Sequence, residues 1–381
     1  MSGAGRLAVA IDALPLVGSP TGVGVFCDQL IRSLANRSDL ALSAFAVGWG
    51  AAQARDRLPP SVTCRVTAVP ARAVHASWLV TGAPSAERLA GPASVVHGTN
   101  FVVPPARRAA TVLTVHDMSP WRYPELCAPA SRAYPALVRR AVLRGAFVHT
   151  PSQFVADEFV AAVGVHAERV RAIPHGLGRL DRPSDRYAAG ANSPLRQLPY
   201  VLAIGTVEPR KGYPTLVAAF VELAAQRPDL QLVIAGSEGR GTRELDAAVA
   251  SVGCGARIIR LGYVDSATRA SLLAGAAVLA YPSIYEGFGL PPLEAMAAGV
   301  PVVATAGGAI PEVVGDGAVV VPVGDAAALA SALGQVVDDE QLRRELVARG
   351  RVRAARYSWE SAADAMVALY ADANADRARG R

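Results

Sequence analysis

A chain of 381 residues, 51% apolar and 18% charged, is too long for one ordinary core and too apolar for disorder. Two globular domains are expected. The net charge of +6 is spread over arginines with no interleaved stacking aromatics. That pattern argues against nucleic acid and for an anionic substrate or an anionic membrane face.

The start, MSGAGRLAVAIDALPL, leads into a strand-like run rather than a signal peptide. No apolar run reaches the roughly 18 residues of a membrane span. The four cysteines (Cys27, Cys64, Cys127 and Cys254) show no zinc or disulfide spacing, so a reducing cytoplasm is expected.

In chain order, strands are expected at LAVAID, LSAFAV, SVVHGT, TVLTVHD and FVHTPS. After the first comes SPTGVGVF, with Gly22 and Gly24. It is a poor dinucleotide fingerprint, because Cys27 stands where the third glycine belongs. His116 and Asp117 end the fourth strand, with no further ligand spaced to complete a metal site. Residues 180–199 are rich in Pro, Gly, Ser and Asn. They place a linker at 182–199 between an N-terminal domain, 1–181, and a C-terminal domain, 200–356.

The second half predicts strands at YVLAIGT, LQLVIAG, ARIIRLGYV, AAVLAYPS, PVVATA and AVVVPV. All these runs are continuously apolar, as parallel strands buried on both faces require. The fold class is therefore α/β, with two doubly wound domains whose ligands sit at the carboxyl ends of the strands. A terminal helix and frayed basic tail, 357–381, is free to pack back on the N-terminal domain.

Two loops of the second half carry the chemistry. Lys211, in VEPRKG, is the only lysine of the chain. Arginine serves the solvated basic positions elsewhere, so this ammonium is expected to meet a phosphate, with the planar fork of Arg210 beside it. A pyridoxal Schiff base would want a more buried setting. The second loop, SIYEGFGLPPLEAMAAGVP, runs from a strand into a short helix. Gly287 and Gly289 permit close backbone approach to a ligand, and the helix start favours an anion. Glu286 and Glu294 are placed to accept hydrogen bonds from sugar hydroxyls.

EGFGLPPLE, a glutamate followed after seven residues by another, resembles the hallmark of the family-4 retaining glycosyltransferases of the GT-B fold. GTVEPRKGYPTLVAAF is similar to their donor-diphosphate loop, and TVHDMSPWRYPE to their N-terminal histidine loop. PSQFVADEF and AIPHGL also match family segments.

The resemblance implies two Rossmann-like domains facing across a cleft. Lys211 and Arg210 would hold the donor diphosphate, and Glu286, Gly287, Phe288 and Gly289 the sugar. Leu290 and the helix start would take phosphate, and Glu294 the ribose. His116 would reach the sugar, while Gly22 and Gly24 approach the diphosphate. The base would be held near Tyr263 and Val264.

The chain departs from the family at Thr206, which follows Gly205 where many members carry arginine. The chain has no Asp-x-Asp triplet, so no metal and no cofactor is expected. The implied reaction transfers a hexose, GDP-mannose being the favoured donor, to a glycan or lipid-linked acceptor. A UDP-hexose transferase, a nucleotide-sugar epimerase or phosphorylase on the same fold, and a non-catalytic binding subunit are the alternatives. Arg107, Arg108, Arg139, Arg140 and Arg144 either face an anionic lipid carrier or form a solvated helix face.

Overall fold

The computed structural model describes residues 6–18, 21–178, 198–253 and 257–380. Nearly all of the expected linker lies outside them, as does Cys254. The chain divides into two compact units, Met1–Gly176 with Ser358–Arg381, and Leu177–Tyr357.

The first unit holds a seven-stranded sheet of β1 (Leu7–Asp12), β2 (Leu40–Val47), β3 (Thr63–Thr67), β4 (Val95–Gly98), β5 (Ala110–Thr114), β6 (Phe147–Thr150) and β7 (Val170–Ala172), in the order β3-β2-β1-β4-β5-β6-β7. The second holds β8 (Tyr200–Ile204), β9 (Gln231–Ala235), β10 (Ile258–Gly262), β11 (Val278–Tyr281), β12 (Val302–Thr305) and β13 (Ala318–Val321), in the order β10-β9-β8-β11-β12-β13. Every pairing is parallel, with Val9 opposite Val95 and Val201 opposite Val278. Both orders reverse direction next to the first strand of their unit. That is the doubly wound arrangement, and each reversal opens a crevice at the carboxyl ends of the two strands flanking it.

β3 and β7 are not among the expected strands. Both are edge strands. TCRVT has no fully buried residue, and VRA is three residues long. Neither presents the continuous apolar run that marks the interior strands.

The core of the first unit is completed by the helix Trp359–Arg379, whose Trp359, Met366, Leu369 and Tyr370 are buried with Phe26, Leu30 and Ile31. A hydrogen-bonded chain ties this helix to the sheet. The His149 ring donates from Nε2 to the Ile173 carbonyl (2.9 Å), so its Nδ1 accepts from the Thr114 hydroxyl (2.9 Å). Thr114 then accepts from His97 Nε2 (2.8 Å), which leaves His97 Nδ1 to accept from the Tyr370 hydroxyl (2.7 Å). Burial holds both rings neutral, pushing His149 down to about 3.

The tail is not frayed. The helix runs through Arg379, held by an ion pair between Asp376 and Arg169 (3.0 Å) and by a hydrogen bond from Arg377 to the Arg107 carbonyl (2.7 Å). Composition alone suggested a loose basic end, but tertiary partners keep it ordered.

Candidate functional site

The switch point of the second unit lies between β8 and β11, and the two motif loops leave the carboxyl ends of these strands. The VEPRKG loop closes with a 3-10 turn, Pro209–Lys211, ended by Gly212 at φ 65°. A side chain at Gly212 would place its Cβ 2.2 Å from the Pro282 carbonyl oxygen, so only glycine lets this loop lie against the other. A backbone hydrogen bond from Ile284 N to the Arg210 carbonyl (2.7 Å) fastens the two together.

The fastening brings three charged side chains into one cluster. Lys211 Nζ lies 2.5 Å from Glu286 Oε1, and Arg210 Nη1 lies 2.7 Å from Glu286 Oε2. The lysine also donates to the Tyr281 hydroxyl (2.9 Å), with its ammonium 4.9 Å from that ring's centre. Glu286 is 7% exposed. Burial alone would raise its pKa, but Arg210 and Lys211 prevail and hold it down at about 2. Two cations on one carboxylate leave a surplus positive charge in a largely desolvated place, where an anion is bound strongly.

The loop then turns through Gly287, Phe288 and Gly289, all buried. Gly289, at φ 112°, caps the helix Leu290–Ala298. Its dipole points positive charge at this turn. Pro291 and Pro292, however, remove two of the N–H groups a helix start normally offers, leaving Leu290 as the only helical N–H donor before Leu293.

Glu294, further along the helix, forms an ion pair with Arg269 of the helix Ser266–Gly275. Burial raises its pKa, with Arg269 opposing. Tyr263 and Val264 follow β10; the Tyr263 ring is 57% exposed and open to stacking.

In the first unit the expected residues also gather at carboxyl ends of strands. Gly22 and Gly24 lie in the first turn of the helix Gly22–Ala35 rather than in the loop before it. A Cβ on Gly24 would meet the Pro15 carbonyl oxygen at 2.9 Å, whereas Gly22 has open space. His116, just beyond β5, is buried against Phe26 and Phe101 and donates from Nε2 to the Thr99 carbonyl (2.8 Å). Burial lowers its pKa, so the ring is a neutral imidazole whose Nδ1 carries a lone pair. Beside it, the Thr99 hydroxyl donates to the Asp12 carbonyl (2.8 Å). The Asp12 side chain accepts from Leu14 N (2.9 Å), yet desolvation pushes its pKa up to about 7.

Residues 191–353 match the family described as Glycosyl transferases group 1, and residues 20–177 match Glycosyltransferase Family 4. The chain is 33% identical over 300 residues to the O-antigen chain mannosyltransferase B of Escherichia coli, covering 72% of this chain and 74% of that protein. The chain is a family 4 glycosyltransferase. This glycosyltransferase is also 34% identical over 228 residues to the MMP alpha-(1->4)-mannosyltransferase of Mycolicibacterium hassiacum, covering 58% of this chain and 53% of the relative. Its fold is that of the sucrose-phosphate synthase of Thermosynechococcus elongatus, with a TM-score of 0.75 at 24% identity, over 97% of this chain and all of the other. That likeness places the glycosyltransferase in the GT-B fold.

The sequence of the glycosyltransferase marks Lys211, Arg210 and Glu286 separately; the structure joins them. It does not mark Tyr281, Arg269 or Asp12. Tyr281 and Asp12 end strands that flank switch points, and a strand's last polar residue is the one signal that would have flagged them. Arg269 sits on an ordinary helix with nothing in the sequence to tie it to Glu294.

Proposed function

We propose that this glycosyltransferase moves a hexose, mannose from GDP-mannose, to an acceptor hydroxyl in glycan or glycolipid assembly. The anomeric configuration is retained and no metal takes part. The observation that carries the reading is the cluster of Lys211 and Arg210 on the buried Glu286 at a switch point. Its surplus charge suits a diphosphate whose negative charge grows as the bond from the sugar C1 to phosphate oxygen breaks.

Lys211 and Arg210 hold the diphosphate, with Gly289, Leu290 and the helix dipole beside it. Glu286, Gly287 and Phe288 hold the sugar, and Glu294, oriented by Arg269, the ribose. The acceptor oxygen attacks C1 on the face the phosphate leaves, and the departing phosphate takes its proton, so no enzymic nucleophile is needed. We assign His116 a role towards the transferred sugar as well. The mannosyltransferase relatives support the choice of donor. Among the described residues, no helix is long and apolar enough to cross a membrane. We place the reaction at the cytoplasmic side, where a lipid-linked acceptor is reached peripherally.

Slow hydrolysis of the donor needs no knowledge of the acceptor. Incubation with GDP-mannose should release mannose, with or without excess chelator. Release from a UDP-hexose while GDP-mannose stays intact would overturn the donor. Loss of turnover under EDTA, restored by a divalent ion, would overturn the metal-free mechanism. Interconversion of sugar nucleotides without hydrolysis would instead identify an epimerase.

A further inference from the structure

The first unit contains a second, independent feature at the opposite edge of its sheet. A cavity of about 260 Å³ opens at the amino-terminal ends of β5 and β6, walled by the helices Ala71–Val80, Tyr134–Leu143 and Trp359–Arg379. Four arginines line it, Arg140, Arg144, Arg169 and Arg377, with one acidic residue, Asp376. The formal excess is three positive charges.

Part of this charge has a structural task. Arg140 donates to the Leu79 carbonyl (2.5 Å), Arg169 to Gly145 (3.0 Å) and Arg377 to Arg107 (2.7 Å). Leu79 and Gly145 lie at or just beyond helix ends, where carbonyls lack intrahelical partners and the dipole is negative. That task does not exhaust the set. A guanidinium has five N–H donors, and Asp376 is already engaged by Arg169 (3.0 Å). Among the described residues, no hydrogen bond or ion pair engages the Arg144 side chain, and Arg377 Nε is buried without an acceptor. A buried donor without an acceptor is unfavourable and is relieved by an incoming anion. Facing these cations, Trp78 and Leu137 supply an apolar wall, and the indole is fixed by its hydrogen bond to the Pro84 carbonyl (2.9 Å).

We propose that this cavity binds a phosphoryl monoester carrying an apolar group, at a site distinct from the sugar-nucleotide site. The dianion meets Arg144 and Arg377 Nε, and the apolar part lies on Trp78 and Leu137. A surplus of three charges suits a dianion better than a carboxylate, and the volume exceeds what inorganic phosphate alone would fill. The same chemistry is offered by a soluble phosphate ester and by the headgroup of an anionic lipid.

The test is calorimetry of the full chain with phenyl phosphate. Saturable binding is expected, and phenol should show none. Arg144→Gln, an exposed change that leaves the fold intact, should weaken it roughly tenfold by removing one charge-assisted contact. Arg377→Gln should do likewise, and Lys211→Ala should leave it unchanged. Competition by vesicles of phosphatidic acid in phosphatidylcholine would assign the site to a lipid headgroup, and its absence to a soluble ester; either supports the site. No saturable binding, equal binding by both arginine variants and the parent, or loss in Lys211→Ala would each overturn it.

Discussion

Glu286 is the residue on which the proposed donor site turns, because it holds both neighbouring cations at once. Its pKa, lowered from 4.5 to about 2, makes folding depend on pH. The folded value lies below the unfolded one, so its stabilisation is complete above about pH 5 and is lost as pH falls towards 2. At 1.36 kcal/mol per unit, that contribution is about 3 kcal/mol. Glu286→Gln should therefore flatten the stability profile between pH 5 and 2 in denaturant melts; an unchanged slope would remove the carboxylate from that role. The same variant frees Lys211 and Arg210, so it should bind GDP at least as tightly as the parent while transfer falls. Weaker GDP binding would mean that the two cations do not face the diphosphate.

Lys211→Ala should cost roughly 2–4 kcal/mol of barrier, a hundredfold or more in turnover. The loop position alone suggests little effect on melting. The lysine side chain is, however, only 11% exposed and paired to a buried carboxylate. Removing it should also lower stability by roughly 1–3 kcal/mol, because Glu286 keeps a single cation. A melting curve that matches the parent would contradict this.

At the scale of elements, the site depends on two loops lying in contact, and Gly212 makes that possible. Gly212→Ala forces a non-glycine residue to φ 65° and drives a methyl onto the Pro282 carbonyl. Neither the backbone nor the oxygen is the flexible end of a side chain. The expected cost is at least about 2 kcal/mol, or roughly 4–8 °C in melting temperature for a unit of this size. Arg210 and Lys211 should shift away from Glu286, so donor hydrolysis should fall beyond what the lost stability explains. Parent-like melting and hydrolysis would show that the loops can part without consequence.

For the whole molecule, the terminal helix matters more to folding than its place at the chain end suggests. Trp359, Met366, Leu369 and Tyr370 fill the first unit's core, and Tyr370 ends the chain of His97, Thr114 and His149. Deleting Ser358–Arg381 should leave the first unit open to proteolysis. The second unit, with its own core and the whole Lys211 cluster, should still bind GDP. Protection of β1, β4 and β5 from hydrogen exchange in the truncated protein would disprove the dependence.

The class of fold, the interior strands and the two loops proposed to hold the donor are legible in the sequence alone. Those features are written locally, in continuous apolar runs, in glycine and proline punctuation, and in one lysine among 37 arginines. Edge strands β3 and β7 escaped because they are defined by a neighbour's hydrogen bonds rather than by their own apolarity. That Lys211 and Arg210 share Glu286, that Arg269 pairs with Glu294, and that the last turns of the chain stay helical rest on tertiary contacts. The pairs lie far apart in the chain: 75 residues separate Lys211 from Glu286, and 207 separate Arg169 from Asp376. The order β10-β9-β8-β11-β12-β13 sets β8 beside β11 and so brings residue 211 to residue 286. Charge pairing of this kind depends on where strands cross over, and no spacing along the chain encodes it.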